Sequence, residues 1–206
     1  MNEKEKMIQG KLYDPNDSEL VEERRKAHGL CNRYNRLDET EAAEREEILN
    51  ALLPERGENV FLQGPIYFDY GVHTKIGKNS YANFNLTVLD VCPVTIGENV
   101  FIGPNVSLLA PKHPLCFQDR DPYFDEKRQA MTDREYGAPI TIGDHVWIAG
   151  NVVILGGVTI GSGSVIGAGS VVSKDIPENC LAFGNPCQVR RKITEKDRME
   201  FHPECF

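Results

Sequence analysis

The stretch that decides the fold is "ITIGDHVWIAGNVVILGGVTIGSGSVIGAGSVVSKDIP", residues 140–177. A branched aliphatic residue recurs in it at every sixth position, a period that neither a helix nor an ordinary strand produces. The first series comprises Ile142, Ile148, Ile154, Ile160, Ile166 and Val172. A second series follows each member by four residues and comprises Val146, Val152, Val158, Ser164, Ser170 and Ile176.

The same period continues upstream of this stretch. It gives Ile96, Ile102 and Leu108, and before them Ile76, Ala82 and Val88, with an offset of two residues at "CPVT". A fixed hexapeptide period is typical of a β-helix. Each unit is predicted to form a short strand and a turn, and three units to close a triangular coil with the aliphatic side chains on its axis. The predicted coils are 58–75, which is less regular, 76–93, 96–113, 142–159 and 160–177.

The first 57 residues have a different texture, rich in charge and in helix-forming residues. Apolar residues at helical spacing predict amphipathic helices at about 18–36 and 38–53. Asp38 and Glu41 have the spacing of a capping box, and Pro54 ends the second helix. We therefore predict a helical cap domain (1–57), a β-helix domain (58–192) whose end it covers, and a tail (193–206).

The hexapeptide period lapses between His113 and Ile140. The intervening segment, "PLCFQDRDPYFDEKRQAMTDREYGAP" (114–139), is polar and charged and contains prolines. It is incompatible with a coil and is predicted to project from the body as a long loop. Long loops in compact domains are usually functional or disordered.

Composition excludes several classes of function. The net charge is −8, whereas a nucleic-acid-binding protein normally carries a basic excess. The N-terminal "MNEKEKMIQGK" lacks the apolar core of a secretory signal, and no apolar run reaches the length of a membrane span. The six cysteines show no CxxC spacing, so free thiols in a reducing cytoplasm are expected.

His113 is the strongest candidate for a catalytic residue. It ends a predicted coil and abuts the long loop, which places an imidazole at a corner with a cover beside it. Histidine exchanges a proton near neutral pH and suits general base catalysis. His28 and His202, in the helical region and the tail, are interpreted as solvated surface residues.

Metal and dinucleotide sites find less support in the sequence. His73, His113 and His145 are far apart along the chain and form no close pair, so zinc would require ligands from different coils or subunits. The glycines of "GSGSVIGAGS" do not match GxGxxG and fall at repeat corners. The repeat therefore explains them.

Together, the hexapeptide repeats and several motifs resemble the maltose and galactoside O-acetyltransferases. The motifs are "GKLYDPNDSELVEERRKAHGLCNRYN", "NSYANFNLTVLDVCPVTIG", "GPNVSLLAPKHPL", "ITIGDHVWIAG", "SVIGAGSVVSKDIPEN" and "AFGNPCQVRR". The resemblance implies a left-handed parallel β-helix, a homotrimer, and acetyl-coenzyme A bound between neighbouring subunits. It also implies direct acetyl transfer to a sugar hydroxyl, with no metal required and with no nucleic acid or membrane as partner.

The resemblance also assigns roles to individual residues around the acceptor. His113 matches the family's catalytic base, and Glu135 is the candidate that orients it, although Glu135 is equally interpretable as an ordinary loop carboxylate. Asn83 matches an acceptor-site position whose amide can donate to an oxyanion. Asn85 lies nearby, and strand alternation would send both amides to one face, yet stacked structural asparagines explain both equally well. Asp69 matches a sugar-binding position, and Asp17 or Asp14 is expected to reach the acceptor from the cap.

For the donor, the resemblance assigns contacts with coenzyme A to Gly150, Ala168, Ser173, Lys174 and Arg191. Trp147 matches a tryptophan beside the active site, or it packs against another subunit. Two departures stand out. Gln188 replaces a basic residue that is common in relatives, which Arg190 or Arg191 would compensate. Val91 replaces an aspartate of galactoside-acetylating relatives, which favours a maltose or glucose acceptor.

Two further functions compete with acetyl transfer. A trimeric zinc hydratase of the carbonic-anhydrase type can use the same fold, and a non-catalytic repeat scaffold needs only its flat faces. The acceptor also stays open among glucose, maltose, a galactoside, a lipooligosaccharide precursor and a xenobiotic.

Overall fold

The body of the protein is a parallel β-helix with three faces, seen in a computed structural model that describes residues 1–126 and 128–205. Face 1 comprises β3 (Thr74–Ile76), β6 (Val94–Ile96), β13 (Ile140–Ile142) and β16 (Thr159–Ile160). Face 2 comprises β1 (Phe61–Leu62), β4 (Tyr81–Ala82), β7 (Phe101–Ile102), β14 (Trp147–Ile148), β17 (Val165–Ile166), β19 (Cys180–Phe183) and the antiparallel β20 (Gln188–Lys192). Face 3 comprises β2 (Ile66–Phe68), β5 (Leu86–Leu89), β8 (Ser107–Leu109), β15 (Val153–Leu155) and β18 (Val171–Val172). The predicted β-helix is confirmed.

The hexapeptide period sets the register between coils. Ile142 pairs with Ile96 and Ile160, and Ile148 pairs with Ile102 and Ile166, so equivalent residues stack along the axis. Both predicted series are buried, including Ser164 and Ser170. Burying an isoleucine or valine contributes about 1.5–3 kcal/mol, so this column is the main source of stability in the body.

Asparagines stack at the corner between faces 2 and 3, which we call corner 2/3. Asn85, Asn105 and Asn151 have φ angles of 61°, 58° and 59°, the left-handed region that asparagine tolerates better than most residues. The Asn85 amide donates to Asn105 Oδ1 (2.9 Å), and the Asn105 amide donates to Asn151 Oδ1 (3.2 Å). The expectation that Asn83 and Asn85 alternate along a strand is wrong, because both lie in the turn between β4 and β5.

Three helices precede the β-helix: α1 (Glu3–Ile8), α2 (Ser18–Tyr34) and α3 (Ala42–Leu52). α1 was not predicted, and Asn2 forms a capping box with Glu5 at its start. The predicted start of the last helix at Asp38 is wrong. The Asp38 carboxylate accepts from the Thr40 backbone N–H instead, and only the Glu41 half of the box forms.

The helices dock on the first coil of the β-helix. The Tyr34 hydroxyl donates to the Leu62 carbonyl at 2.6 Å, and the Asn35 amide donates to the Ile66 carbonyl at 2.9 Å. The buried Arg45 guanidinium donates to the same Leu62 carbonyl. The helical segment therefore packs against the first coil of the β-helix.

Residues 114–139 project from the corner between faces 3 and 1, which we call corner 3/1, and we call this segment the insertion. It is more ordered than expected: it contains a helical turn, α4 (Phe117–Arg120), and a hairpin of β10 (Tyr123–Asp125) with β11 (Ala130–Thr132). Its base is closed by β9 (Pro111–Lys112), which pairs antiparallel with β12 (Tyr136–Gly137). The coil then resumes with Ile140 paired to Val94.

Three 3₁₀ turns follow β20, at Glu195–Asp197, Met199–Phe201 and Pro203–Cys205. All six cysteines lie in the described segments and are free thiols. Among the described residues, no helix combines the length and the apolar character needed to cross a membrane.

Candidate active site

The antiparallel pairing at the base of the insertion brings His113 and Glu135 together. Lys112 is the register partner of Tyr136 in this antiparallel pair. His113, which follows Lys112, and Glu135, which precedes Tyr136, therefore lie opposite each other just beyond the paired strands. His113 Nε2 lies 3.9 Å from Glu135 Oε1, with the histidine side chain 48% exposed and the glutamate 21% exposed. This separation exceeds a hydrogen bond, but the two groups are poised for one.

Tyr13, from the segment between α1 and α2, holds Glu135 in place. Its hydroxyl donates to Glu135 Oε2 at 2.8 Å, and the two residues exchange backbone hydrogen bonds. Burial, and secondarily the Glu135 charge, raises the pKa of the Tyr13 hydroxyl well above its usual range. Tyr13 therefore stays protonated and remains a donor. Sequence reasoning missed this residue, because no local pattern links positions 13 and 135.

The cap and the insertion are joined by further polar contacts. The Thr132 hydroxyl donates to Asp14 Oδ1 at 2.6 Å, and Asp14 Oδ2 is ion-paired with Arg128. Asp17 lies 3.4 Å from the Arg128 guanidinium and caps α2 through the Glu19 backbone N–H. Of the two predicted acceptor carboxylates, Asp14 thus has the closer tie to the insertion, while a sugar contact by Asp17 stays a prediction.

Asp69 lines a cavity of about 280 Å³ at corner 3/1, together with His28, Asn32, Tyr67 and Leu89 among others. Burial raises the pKa of the Asp69 carboxyl, and the neighbouring His28 opposes this effect. His28 Nε2 lies 3.5 Å from Asp69 Oδ1, so this histidine is not the purely solvated residue that we expected. Asp69 precedes β3 at the same corner from which His113 and the insertion emerge.

Asn83 lies at a different corner from His113. It follows β4 at corner 2/3, where its Oδ1 accepts from the Phe84 backbone N–H at 2.7 Å. The residues of β8, on face 3, separate the two corners, which at about 3.3 Å per residue places them about 10 Å or more apart. One chain therefore does not bring Asn83 to its own His113.

The residues predicted to contact coenzyme A are likewise divided. Gly150 and Ala168 lie at corner 2/3, whereas Ser173 and Lys174 follow β18 at corner 3/1. Trp147 projects from face 2, 54% exposed, between its register partners Phe101 and Val165.

Arg191 lies on β20, where Asp197 already engages its guanidinium at 2.6 and 2.9 Å. The Asp197 carboxylate raises the pKa of Arg191. Arg190 packs over the Phe183 ring at 4.7 Å. The phosphate contacts proposed for this strand therefore require Arg191 to exchange partners.

The two departures from the family pattern occupy different settings. Gln188 is exposed on β20, beside its register partner Phe183. Val91 is 3% exposed and packs at the base of the insertion, where a Cβ at Gly137 would lie 3.0 Å from its Cγ2. Position 91 of this chain therefore supplies packing rather than a polar group.

The three histidines considered as zinc ligands do not form a site in the described part of the chain. His73 Nδ1 lies 2.9 Å from the Asp90 carbonyl, and His145 adopts a φ of 59° at the corner between faces 1 and 2. Among residues 1–126 and 128–205, one group of potential metal ligands has its donor atoms within 4.8 Å of one another: His113, Asp133 and Glu135.

Comparison with known families covers both halves of the molecule. The maltose acetyltransferase hexapeptide capping motif matches residues 6–57. The bacterial transferase hexapeptide pattern of six repeats matches residues 139–174, and a hexapeptide repeat of succinyl-transferase matches residues 93–108.

Individual proteins are similar over almost the entire chain. The galactoside O-acetyltransferase of Escherichia coli (strain K12) is 44% identical over 194 residues, covering 94% of this chain and 91% of that protein. The maltose O-acetyltransferase structure from Clostridium difficile 630 superposes with a TM-score of 0.86 at 44% identity, covering 95% and 99% of the two chains. A galactoside acetyltransferase structure in complex with coenzyme A gives 0.85 at 43% identity, covering 96% and 94%. The chain therefore belongs to the maltose and galactoside O-acetyltransferase family of hexapeptide-repeat proteins.

Proposed function

We propose that this protein transfers the acetyl group of acetyl-coenzyme A to a hydroxyl of a sugar, within a ternary complex. The observation that carries the proposal is the arrangement of His113, Glu135 and Tyr13 at the mouth of the insertion. A half-exposed imidazole backed by an anchored carboxylate suits a general base. The names of the similar proteins and the coenzyme A complex of one of them support the donor and the acceptor class.

In the proposed mechanism His113 removes the proton of the acceptor hydroxyl. Since Glu135 lies on the Nε2 side, Nε2–H donates to it and Nδ1 takes the proton. The sugar oxygen attacks the thioester carbonyl, the tetrahedral intermediate collapses, and the departing thiolate recovers the proton as coenzyme A. The contact between His113 and Glu135 must shorten by about 1 Å, as catalytic contacts in free enzymes often do on substrate binding.

A homotrimer would complete the site. The Asn83 amide is proposed to donate to the oxyanion of the intermediate, and it can reach the His113 of a neighbouring subunit if corner 2/3 of one chain faces corner 3/1 of the next. The same juxtaposition would unite Gly150 and Ala168 with Ser173 and Lys174 around one coenzyme A. The division of these residues between two corners supports this assembly.

The acceptor is proposed to be a maltose- or glucose-like sugar, with a galactoside as the alternative. Asp69, in its cavity, offers a carboxylate to sugar hydroxyls, and Asp17 would contribute from the cap. Val91 supplies no polar group for a galactoside. A sugar contact by Asn85 also stays a prediction, although its amide already bonds to Asn105.

Replacement of His113 by alanine tests the proposed base. We expect the rate of coenzyme A release in a free-thiol assay to fall about 10²–10⁴-fold, because that is the usual contribution of a general base. His202 is a partly exposed tail histidine that contacts Glu204, and His202→Ala is the matched control that should leave the rate unchanged. Near-normal turnover by a folded His113→Ala variant would refute the assignment.

Two proposals concern the context of the enzyme. The six free thiols suit a reducing cytoplasm, which we propose as its location. We also propose that the chain is organised as a helical cap domain (1–57), a β-helix domain (58–192) and a tail (193–206).

A further inference from the structure

We propose that the mouth of the insertion is an inhibitory binding site for a divalent transition metal, with Zn²⁺ as the ion that fits best. The ligands are one ring nitrogen of His113 and one carboxylate oxygen each from Asp133 and Glu135, all within 4.8 Å of one another. Nε2 is the ring nitrogen that faces Glu135 Oε1, at 3.9 Å. Mixed nitrogen and oxygen donors are typical of zinc sites that keep an open position. Binding of the metal is independent of the proposed function, whereas the inhibition rests on it.

The ligand spacing is close to what zinc requires. With bonds of about 2.1 Å, two ligands of a tetrahedral zinc ion lie about 3.4 Å apart. His113 Nε2 and Glu135 Oε1 are 3.9 Å apart, so this pair must close by only about 0.5 Å. A separation at the 4.8 Å limit must close by about 1.4 Å, which the half-exposed His113 side chain can supply by a small rotation.

One oxygen of each carboxylate accepts a hydrogen bond from a neighbouring side chain, which leaves the other oxygen for a metal. The Tyr13 hydroxyl donates to Glu135 Oε2 at 2.8 Å, and the Asn16 amide donates to Asp133 Oδ1 at 3.1 Å. Such outer hydrogen bonds are what fixes ligating carboxylates in metal sites. They reduce the entropy that the ligands lose when the ion binds.

The electrostatic setting also favours a cation. Asp133 and Glu135 place two carboxylates beside the His113 imidazole, and the nearby arginines are engaged elsewhere. Arg128 is paired with Asp14 and Asp17, and Arg134 lies over the Tyr123 ring at 5.2 Å and donates to its hydroxyl.

Occupation of the site would stop catalysis for a chemical reason. A neutral imidazole that coordinates a metal through Nε2 carries its proton on Nδ1. Nδ1 then has no lone pair with which to accept the proton of the sugar hydroxyl. Zinc would also hold Glu135 away from its orienting role, so inhibition should be complete and reversible by a chelator.

The test measures Zn²⁺ binding by competition with a chromophoric chelator, in a Cys116→Ser/Cys205→Ser background that removes the two exposed thiols. We expect one zinc ion per subunit. The dissociation constant should be at least tenfold larger in Asp133→Asn, since one ligand is lost. Asp121→Asn, an exposed aspartate of the insertion, is the matched control and should bind as the background does. Cobalt substitution should produce the visible absorption bands of a tetrahedral site.

Inhibition is scored against each variant's own uninhibited rate of acetyl transfer. The zinc concentration for half-inhibition should rise by the same factor as the dissociation constant in Asp133→Asn, and a chelator should restore the rate. The proposal would be overturned if the Cys116→Ser/Cys205→Ser protein and its Asp133→Asn variant bound Zn²⁺ with equal affinity. It would also be overturned if the half-inhibitory zinc concentration were the same in both, or if zinc produced CO₂ hydration activity. Failure of the proposed function is distinguishable, because His113→Ala would then retain acetyl transfer while still losing zinc binding.

Discussion

At the scale of single residues, the geometry of the candidate site depends on a tyrosine that lies 122 positions from the carboxylate it holds. Tyr13 fixes one oxygen of Glu135, and the other oxygen faces His113. The resemblance to the family pointed to His113, which lies in a recognisable motif, and the position of Glu135 at the end of the insertion made it the candidate that orients the histidine. The resemblance did not point to Tyr13 or His28, because their roles arise only from contacts between the cap and the body.

Replacement of Tyr13 by phenylalanine should lower kcat about tenfold and leave KM for acetyl-coenzyme A unchanged. The reason is that a hydrogen bond to a charged group contributes about 1.5–3 kcal/mol, and Glu135 loses its anchor without it. Steady-state kinetics measure kcat and KM separately.

Glu135→Gln and the double variant serve as controls for this prediction. Since Tyr13 is a positioning residue that acts through Glu135, the losses should not add. Additive losses, or a lower melting temperature with an unchanged kcat, would show that Tyr13 is merely structural.

At the scale of elements, the strands were predictable and the insertion was not. Aliphatic residues recur every six positions, and those that stack, such as Ile148 and Ile166, are three such units apart along the chain, so a linear count finds the coils. The hairpin of β10 and β11 follows no such count, because most of its residues face solvent and do not repeat at the hexapeptide period. Helix α3 starts later than predicted because the Asp38 carboxylate accepts a hydrogen bond from the Thr40 backbone N–H. The capping-box spacing does not reveal this competing contact.

Replacement of Asn105 by alanine tests the asparagine ladder of corner 2/3. Its φ of 58° costs a residue with a Cβ about 1–2 kcal/mol unless a side chain such as asparagine compensates, and both ladder hydrogen bonds are also lost. The midpoint of thermal unfolding should therefore fall. Asn105→Gly, which keeps the backbone conformation accessible, should fall less. Equal midpoints for the two variants would contradict this account of the corner.

At the scale of the whole molecule, the predicted site residues of one chain divide between two corners of the prism. The predicted list therefore does not assemble within one chain, and in the proposed homotrimer a neighbouring chain would supply the missing residues. The outward side of face 2 adds an apolar row that includes Phe61, Phe101 and Trp147, between 45% and 56% exposed.

Mixed trimers provide the measurement at this scale. His113→Ala and Asn83→Ala subunits should each be nearly inactive alone. When equal amounts are dissociated and reassembled together, about a quarter of the sites should combine an intact His113 with an intact Asn83 of the neighbour, because each is drawn with a probability of one half. Coenzyme A release should recover to about that fraction of the wild-type rate. No recovery in verified hybrid trimers would place both residues in one subunit.

The closed base of the insertion has an evolutionary consequence. The chain leaves the prism at Pro111 and Lys112 and returns beside them at Tyr136 and Gly137. The number of residues in the insertion therefore does not alter the pairing of Ile140 with Val94. Lengthening such an insertion costs only a slowly growing closure entropy. The whole insertion can therefore change in length and composition during evolution while the coils on either side of it keep their register.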